Sequence, residues 1–126
     1  VIFVLAGVTK ENFHLIGVEE LDLIQPGAVF VNVARASLID YEALIKRIQR
    51  GDIRVALDVF EEEPLAKDHP LRKLENVILT PHRAGGLAES YFRIGDYIAN
   101  DVSQALKGLK PVFLDEARMD MISKLF

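Results

Sequence analysis

The sequence predicts an α/β domain built around a parallel sheet with helices on both faces. Short runs rich in Val, Ile and Leu alternate with amphipathic segments along the chain, and this alternation is typical of right-handed βαβ units. No uncharged apolar run approaches the ~20 residues of a membrane-spanning helix, so the apolar runs are interpreted as buried strands. The four predicted strands cover residues 1–5, 28–33, 54–60 and 76–80.

Two short helices are expected between these strands. The segment 18–24 has a helical apolar pattern and is followed by a Pro-Gly pair. A second helix over 41–50 begins after Asp40, whose side chain can accept a hydrogen bond from the free amides of the first turn. Basic residues occupy its last turn and Gly51 follows it, as is typical of a helix C-terminus.

A long helix is predicted after the last strand. It runs from about residue 87 to residue 107 and ends at Gly108. A second, short helical pattern lies in the tail, residues 111–126. The long helix has one apolar stripe, which is formed by Phe92, Ile94, Ile98, Val102, Ala105 and Leu106.

Composition restricts the partners and the compartment. The 126 residues suit one domain, and a hydrophobic content of 50% can fill a core. The 15 basic and 19 acidic residues give a net charge of -4 with no basic block, which argues against nucleic acid or a membrane as a partner. The absence of cysteine excludes disulfides and thiolate metal sites and fits a reducing compartment. No signal-peptide pattern precedes the first strand, so we expect a cytoplasmic protein without a metal site.

Groups with useful chemistry follow each predicted strand. Because the carboxyl ends of parallel strands meet at one edge of a sheet, where ligands bind in open α/β folds, we expect these groups to lie close together. They comprise one cation, several carboxylates and one imidazole. In strand order they are Ala6 with Gly7, Ala34 with Arg35, Asp58 with Glu61, Glu62 and Glu63, and His82.

This combination predicts a specific reaction. A guanidinium can hold a substrate carboxylate by paired hydrogen bonds. An imidazole can give or take the proton of a hydroxyl or carbonyl group, and a neighbouring carboxylate fixes its tautomer and favours its charged form. Together these groups suit the interconversion of a 2-hydroxy acid and a 2-keto acid, with hydride exchanged with a nicotinamide.

Each of these residues also has a purely structural interpretation. Arg35 is close enough in sequence to pair with Asp40, and Asp58 is placed to cap a turn. The acidic run 61–63 fits a solvated loop, and His82 fits a surface loop. Ion pairs that only stabilise a fold shift the pKa values of titratable groups, just as catalytic sites do. Taken singly, these residues therefore fit a structural role as well as a catalytic one.

Three segments carry a family resemblance. "GAVFVNVARASLIDYEAL", "ALDVFEEEPL" followed by "HPL", and "NVILTPHRAGG" occur in this order. They closely resemble the carboxyl-terminal part of the NAD-dependent D-2-hydroxyacid dehydrogenases, the family that contains D-3-phosphoglycerate dehydrogenase. The resemblance covers about residues 1–110.

The resemblance implies a role for each matching residue. Arg35 matches the arginine that binds the substrate carboxylate and carbonyl, His82 the acid/base histidine, and Glu63 the glutamate paired with that histidine. Asp58 matches the aspartate near the nicotinamide carboxamide. The implied cofactor-binding set is Ala6, Gly7, Val33, Ala34, Arg35, Asp58, His82 and Gly85.

The resemblance also implies ligands and assembly. The cofactor is NAD, with NADP left open, and the substrate is a small 2-hydroxy or 2-keto acid. The full-length enzyme is expected to be a homodimer. Which acid it uses does not follow from the sequence.

Four positions depart from the family pattern. Gly7 stands where the family has proline, and Asn12 lies in a loop that is usually rich in threonine. Ala36 replaces the glycine that normally follows the arginine. Leu87 replaces a threonine suited to capping the next helix. None of these changes removes a predicted catalytic group.

The glycine-rich dinucleotide fingerprint G-x-G-x-x-G is absent from the sequence. We therefore expect a fragment that holds the second half of a doubly wound, Rossmann-type parallel sheet and a long carboxyl-terminal helix. Residues 1–86 would form the carboxyl-terminal half of the NAD-binding domain, and residues 87–126 the helix and tail that lead towards a substrate domain. Alone, such a chain is expected to be inactive, because the missing glycine-rich loop provides most phosphate contacts.

Two other functions stay open at this point. The family includes a transcriptional corepressor that acts as a dinucleotide-responsive scaffold rather than chiefly as an enzyme. A short, inactive interaction module is the other alternative.

Overall fold

Four short strands form one parallel sheet, and they lie side by side in the order of the sequence. The structure is a computed structural model that describes residues 1–115, 117–118 and 123. The predicted α/β class and parallel sheet are confirmed. The strands are β1 (Ile2–Val4), β2 (Val29–Asn32), β3 (Arg54–Leu57) and β4 (Val77–Leu79).

The three predicted helices are present with nearly the expected bounds. Asp40 caps the second helix, since its Oδ1 accepts a hydrogen bond of 2.9 Å from the Ala43 amide. Two short 3₁₀ turns, Ala36–Leu38 and Pro70–Lys73, were not predicted. The helices are α1 (Val18–Asp22), α2 (Tyr41–Gln49) and α3 (Ala88–Leu106). Within the described residues, none of them is long and apolar enough to cross a membrane.

The hydrophobic core lies on one face of the sheet. Strand side chains alternate between faces, and Phe30, Val55 and Leu57 point to the covered side, where they are almost fully buried. Leu21 of α1 and Leu44 of α2 belong to the same buried cluster. The two helices therefore cover this face and leave the carboxyl ends of the strands accessible.

The opposite face is open, so the expectation of helices on both faces is wrong for the described residues. Phe3 and Ile78 are 60% and 69% exposed, and they lie in one cross-strand row with Val31 and Ala56. The alternation of strands and helices predicts a sheet with two faces, but it does not say which face each helix covers.

Arg47 of α2 is a buried cation that joins three parts of the fold. Its Nε donates to the Leu21 carbonyl at 3.1 Å, and its Nη2 donates to the Ile24 carbonyl at 2.8 Å. It also pairs with Asp52, and this hydrogen bond holds the pKa of the Asp52 carboxyl below its usual range. The guanidinium thus ties the end of α1 to α2 and to the turn before β3.

Helix α3 carries the predicted apolar stripe, but the stripe is exposed. Phe92 and Leu106 are 77% and 84% exposed, and Asp101 is the residue of this helix that is buried. Gly108 ends the helix with φ of 72°, a left-handed conformation that favours glycine.

Asp101 fastens the start of the tail to α3. Its Oδ1 accepts a hydrogen bond from the amide of Val112, and its Oδ2 accepts hydrogen bonds from the amides of Phe113 and Leu114, at 2.7–2.9 Å. Burial alone would raise the pKa of Asp101, but these backbone donors lower it below its usual range. The short helix expected further along the tail lies outside the described residues.

Helix α3 begins without a side-chain cap, as the departure at Leu87 predicts. Leu87 occupies the N-cap position with φ −85° and ψ 142°, and it provides no capping hydrogen bond. Leu87→Ser is expected to raise the free energy of unfolding by about 1 kcal/mol, because serine would accept a hydrogen bond from a free first-turn amide. Urea unfolding measures the effect. Ala88→Ser, one position into the helix, is the control, and equal midpoints for both variants would show that capping does not limit α3.

Candidate active site

The carboxyl ends of β2, β3 and β4 border a cleft of about 390 Å³, called here the carboxyl-edge cleft. Five residues that the sequence analysis selected line it. Ala6, Gly7 and Ala34 are not among its lining residues, and Glu63 lines a neighbouring cavity instead. The cleft is lined by Val33, Arg35, Asp58, His82, Arg83, Gly85, Gly86 and Tyr91.

His82 and Glu63 form a direct pair. The Nδ1 atom of His82 lies 2.7 Å from Oε2 of Glu63. The other carboxylate oxygen accepts a hydrogen bond of 2.9 Å from the Phe60 amide, so Glu63 is held from two sides. The hydrogen bond to His82 and, after it, that from Phe60 lower the pKa of Glu63 below its usual range. Glu63 is therefore ionised at neutral pH and directs the Nε2 atom of the ring away from itself.

The neighbouring cavity lies on the Glu63 side of the histidine. It has a volume of about 530 Å³ and is mainly apolar, with Phe60, Leu65 and Leu79 in its wall. Arg72 also lines it, but its guanidinium donates to the carbonyls of Leu65 and Ala66 at 2.8 Å. His82 thus stands between a polar cleft and an apolar cavity.

The loop that carries His82 is anchored by Asp58. Its Oδ1 accepts hydrogen bonds from the Thr80 hydroxyl at 2.5 Å and from the Arg83 amide at 2.8 Å. Its Oδ2 accepts one from the Ala84 amide at 2.8 Å. Burial by itself would raise the pKa of Asp58, but these donors lower it below its usual range. The donors lie on both sides of His82, so Asp58 caps this turn, as its structural interpretation expects.

The backbone of His82 has the left-handed conformation, with φ of 52°. This conformation is uncommon outside glycine, although histidine adopts it more often than most residues. The preceding proline ends the hydrogen bonding of β4, and the Asp58 anchor then holds the turn. The ring is consequently placed by fixed backbone rather than by a flexible loop.

The turn that carries Arg35 depends on Asn32, a residue that the sequence analysis missed. Asn32 is fully buried; its Oδ1 accepts a hydrogen bond from the Ala34 amide at 3.1 Å, and its Nδ2 donates to the Arg35 carbonyl at 3.2 Å. An asparagine inside the apolar strand "VFVNV" is the signal that identifies it, because a buried amide needs partners.

The Arg35 guanidinium donates to the Ala34 carbonyl at 2.7 Å. Asp40, its possible structural partner, caps α2 instead. Ala36 starts a 3₁₀ turn and packs into the core, so its methyl group is accommodated although the family has glycine there.

The loop after β1 is closed by Asn12. Its Nδ2 donates to the Gly7 carbonyl at 2.7 Å, and its Oδ1 accepts a hydrogen bond from the Thr9 amide at 2.8 Å. A Cβ atom at Gly7 would meet no atom within 4 Å, so the site has room for the side chain that the family carries there. Asn12 therefore shapes the loop in which Ala6 and Gly7 lie.

Comparison with known proteins supports the resemblance to the D-2-hydroxyacid dehydrogenases found in the sequence. Glyoxylate reductase of Thermofilum pendens is 43% identical over 104 residues, which are 82% of this chain and 31% of that protein. D-3-phosphoglycerate dehydrogenase of Methanocaldococcus jannaschii is 44% identical over 101 residues, 79% of this chain and 19% of that protein. The chain thus spans less than a third of the length of either relative.

A solved structure agrees with these sequence matches. The D-isomer specific 2-hydroxyacid dehydrogenase from Xanthobacter autotrophicus Py2, in complex with NADPH and MES, is 32% identical with a TM-score of 0.75. The superposition covers 90% of this chain and 47% of that one. The family model described as D-isomer specific 2-hydroxyacid dehydrogenase, NAD binding domain, matches residues 1–84. This confirms the resemblance found in the sequence: the chain belongs to the D-isomer specific 2-hydroxyacid dehydrogenase family, within its NAD-binding domain.

Proposed function

We propose that the complete gene product interconverts a D-2-hydroxy acid and a 2-keto acid with NAD or NADP as cofactor. The observation that carries the proposal is the 2.7 Å contact between His82 Nδ1 and Glu63 Oε2, beside a cleft that Arg35 lines. Family membership supports the same reaction class. The names of the relatives, which act on glyoxylate or 3-phosphoglycerate, agree with a small hydroxy acid as substrate.

The residues of the carboxyl-edge cleft fit a nicotinamide. Gly85 and Gly86 bring no side chain into it, and a Cβ atom at Gly85 would face open space. When bound, the nicotinamide supplies or accepts the hydride at the carbon that bears the substrate oxygen. Val33, Asp58 and Gly85 line the cleft and would border the nicotinamide. The family resemblance adds Ala6, Gly7 and Ala34, which lie in the loops after β1 and β2 and outside the cleft lining.

The proposed roles of the side chains are those that the family resemblance implies, and their positions support them. Arg35 binds the carboxylate next to the reacting carbon through its guanidinium fork. In the reducing direction, His82 donates the proton on Nε2 to the carbonyl oxygen, which becomes the hydroxyl; in the oxidising direction it takes that proton back. Glu63 accepts a hydrogen bond from Nδ1 and stabilises the imidazolium.

The experiment that tests the function is a reductase assay of the complete gene product. NADH or NADPH absorbance is followed with glyoxylate, pyruvate, hydroxypyruvate, 3-phosphohydroxypyruvate and 2-oxoglutarate as separate substrates. We expect oxidation of at least one reduced cofactor with at least one 2-keto acid, and the D enantiomer wherever the product, such as lactate or glycerate, is chiral. The absence of turnover with every pair would contradict the proposal.

Glu63→Gln is expected to move the pH–rate profile of reduction. The pKa of Glu63 lies below its usual range, so the carboxylate is charged at every pH where the assay is run and stabilises the protonated ring. The neutral amide removes this stabilisation, and the limb of the profile that requires a protonated histidine should shift to lower pH. Glu62→Gln is the matched control, because Glu62 is exposed on the same loop. Equal shifts in both variants would show that the wrong acid has been assigned.

Arg35→Lys is expected to raise KM for the keto acid by about tenfold or more, because lysine keeps the charge but loses the paired hydrogen bonds. KM for the reduced cofactor should stay close to that of the wild type. Initial-rate measurements with each reactant varied in turn separate the two constants. The reverse pattern would assign Arg35 to the cofactor.

We further propose that the complete enzyme is a homodimer that works in the cytoplasm. The exposed apolar side chains of α3, such as Phe92 and Ile98, support an association through this helix. The nicotinamide cofactor and its small acid substrates support the cytoplasmic compartment. Light scattering on the purified gene product measures the mass, and a monomeric mass would contradict the dimer.

A further inference from the structure

A second guanidinium, that of Arg83, lines the carboxyl-edge cleft together with Arg35. Arg83 directly follows His82, and its backbone amide is held by Asp58 at 2.8 Å. Its Nε lies 3.7 Å from the position that a Cβ atom would take at Gly86, so the side chain passes over this glycine. Within the described part of the chain, we find no acceptor or ion-pair partner for its guanidinium.

The acids near the cleft do not neutralise this cation. Asp58 lines the cleft, but it is 2% exposed and both of its oxygens accept hydrogen bonds from the Thr80 hydroxyl and the loop amides. Glu63 pairs with His82 and lines the neighbouring apolar cavity. The charge that this cleft presents to a ligand is therefore positive and comes from Arg35 and Arg83.

The start of α3 adds to the positive character of this wall. Gly86 and Tyr91 line the cleft, so the first turn of the 19-residue helix borders it. Leu87 leaves the first-turn amides without a side-chain cap, and free amides at a helix N-terminus favour an anion. This feature supports the two guanidiniums and would not define a site without them.

We propose that Arg83 binds a second anionic group of the substrate, so that the preferred 2-keto acids carry a phosphate or a second carboxylate besides the carboxylate beside the carbonyl. The inference rests on the proposed function, in which Arg35 holds that first carboxylate. A guanidinium that has no partner among the described residues can form paired, charge-assisted hydrogen bonds with either anion. Arg83 is then a specificity-determining residue that contacts the end of the substrate away from the reacting carbonyl.

The test compares two pairs of 2-keto acids that differ in the second anion. The pairs are 3-phosphohydroxypyruvate with hydroxypyruvate, and 2-oxoglutarate with 2-oxopentanoate. For the complete gene product, kcat/KM should favour the doubly anionic member of at least one pair by about tenfold or more, as expected for hydrogen bonds to a charged group. The pair that shows the preference identifies the anion as phosphate or carboxylate.

Arg83→Gln should remove this preference. We expect kcat/KM for the doubly anionic acid to fall by about tenfold to a hundredfold, and that for the singly anionic acid to change by less than about twofold. Arg83→Lys should restore part of the loss, because it restores the charge. Arg54→Gln is the matched control, since Arg54 is an exposed arginine at the start of β3, at the other end of the sheet.

Three outcomes would overturn the inference in distinguishable ways. Equal losses for both members of a pair in Arg83→Gln would mean that Arg83 acts on the histidine loop. A raised KM for NADH or NADPH with unchanged keto-acid selectivity would place the anion on the cofactor. Turnover of the singly anionic acids without any preference leaves the proposed function intact and rejects the role of Arg83, whereas no turnover with any of the four acids rejects both.

Discussion

His82→Ala is expected to lower the turnover of a 2-keto acid by about a hundredfold or more, the usual contribution of a positioned acid/base group. The imidazole is paired through Nδ1 with Glu63, which leaves Nε2 for the reacting oxygen. Because the proposed role of the ring is to contact the reactant and not a cofactor phosphate, the Kd for NADH should change little. Stopped-flow measurement of hydride transfer and titration with NADH give the two quantities.

The control for this prediction uses the unusual backbone of His82. Its φ of 52° is strained for alanine, whereas asparagine tolerates the left-handed conformation. His82→Asn therefore removes the acid/base group while retaining the turn. We expect both variants to lose turnover; near-normal turnover in His82→Asn would leave His82 with a purely structural role.

Arg47→Met is expected to lower the free energy of unfolding by about 3 kcal/mol or more, because breaking a buried, hydrogen-bonded cation leaves its partners unsatisfied. Methionine keeps much of the apolar stem and removes the charge. The carbonyls of Leu21 and Ile24 then lose the donors they have now. Urea unfolding of the complete gene product measures the change.

Asp52→Asn separates the ion pair from the buried hydrogen bonds. The Asp52 side chain is 35% exposed and can be hydrated, whereas that of Arg47 is 3% exposed. We therefore expect a much smaller loss than in Arg47→Met. Losses of similar size would show that the ion pair, and not the bonds to the two carbonyls, stabilises this corner of the fold.

Local signals explain which parts of the fold were predictable. The cap at Asp40 and the helix end at Gly108 depend on chemistry within one turn, and both are confirmed. Which face of the sheet is covered depends on packing between distant segments, so the local sequence does not predict that Phe3 and Ile78 are exposed. The sequence of a strand shows that it has two sides, but it does not show which helix packs against each side.

The candidate site also has features that the sequence predicts and features that it does not. The order of strands placed Arg35, Asp58 and His82 at one edge of the sheet, because parallel strands end together. The partners of Asp58 are 22 to 26 residues away in the sequence, at Thr80, Arg83 and Ala84, so no local motif identifies them. The catalytic and cofactor-binding roles of the site residues stay predictions until the variants above are measured.

The hydrogen bonds that Asp58 accepts from the loop carrying His82 fix the conformation of this loop during folding. Asp58 follows the central strand β3, and its bonds to Thr80, Arg83 and Ala84 involve no ligand. The conformational entropy of this turn is therefore lost once, when the sheet folds, and not again at each catalytic cycle. In the proposed reaction, the reactant would meet a ring already in position, so its binding energy would remain available for orientation of the reacting atoms.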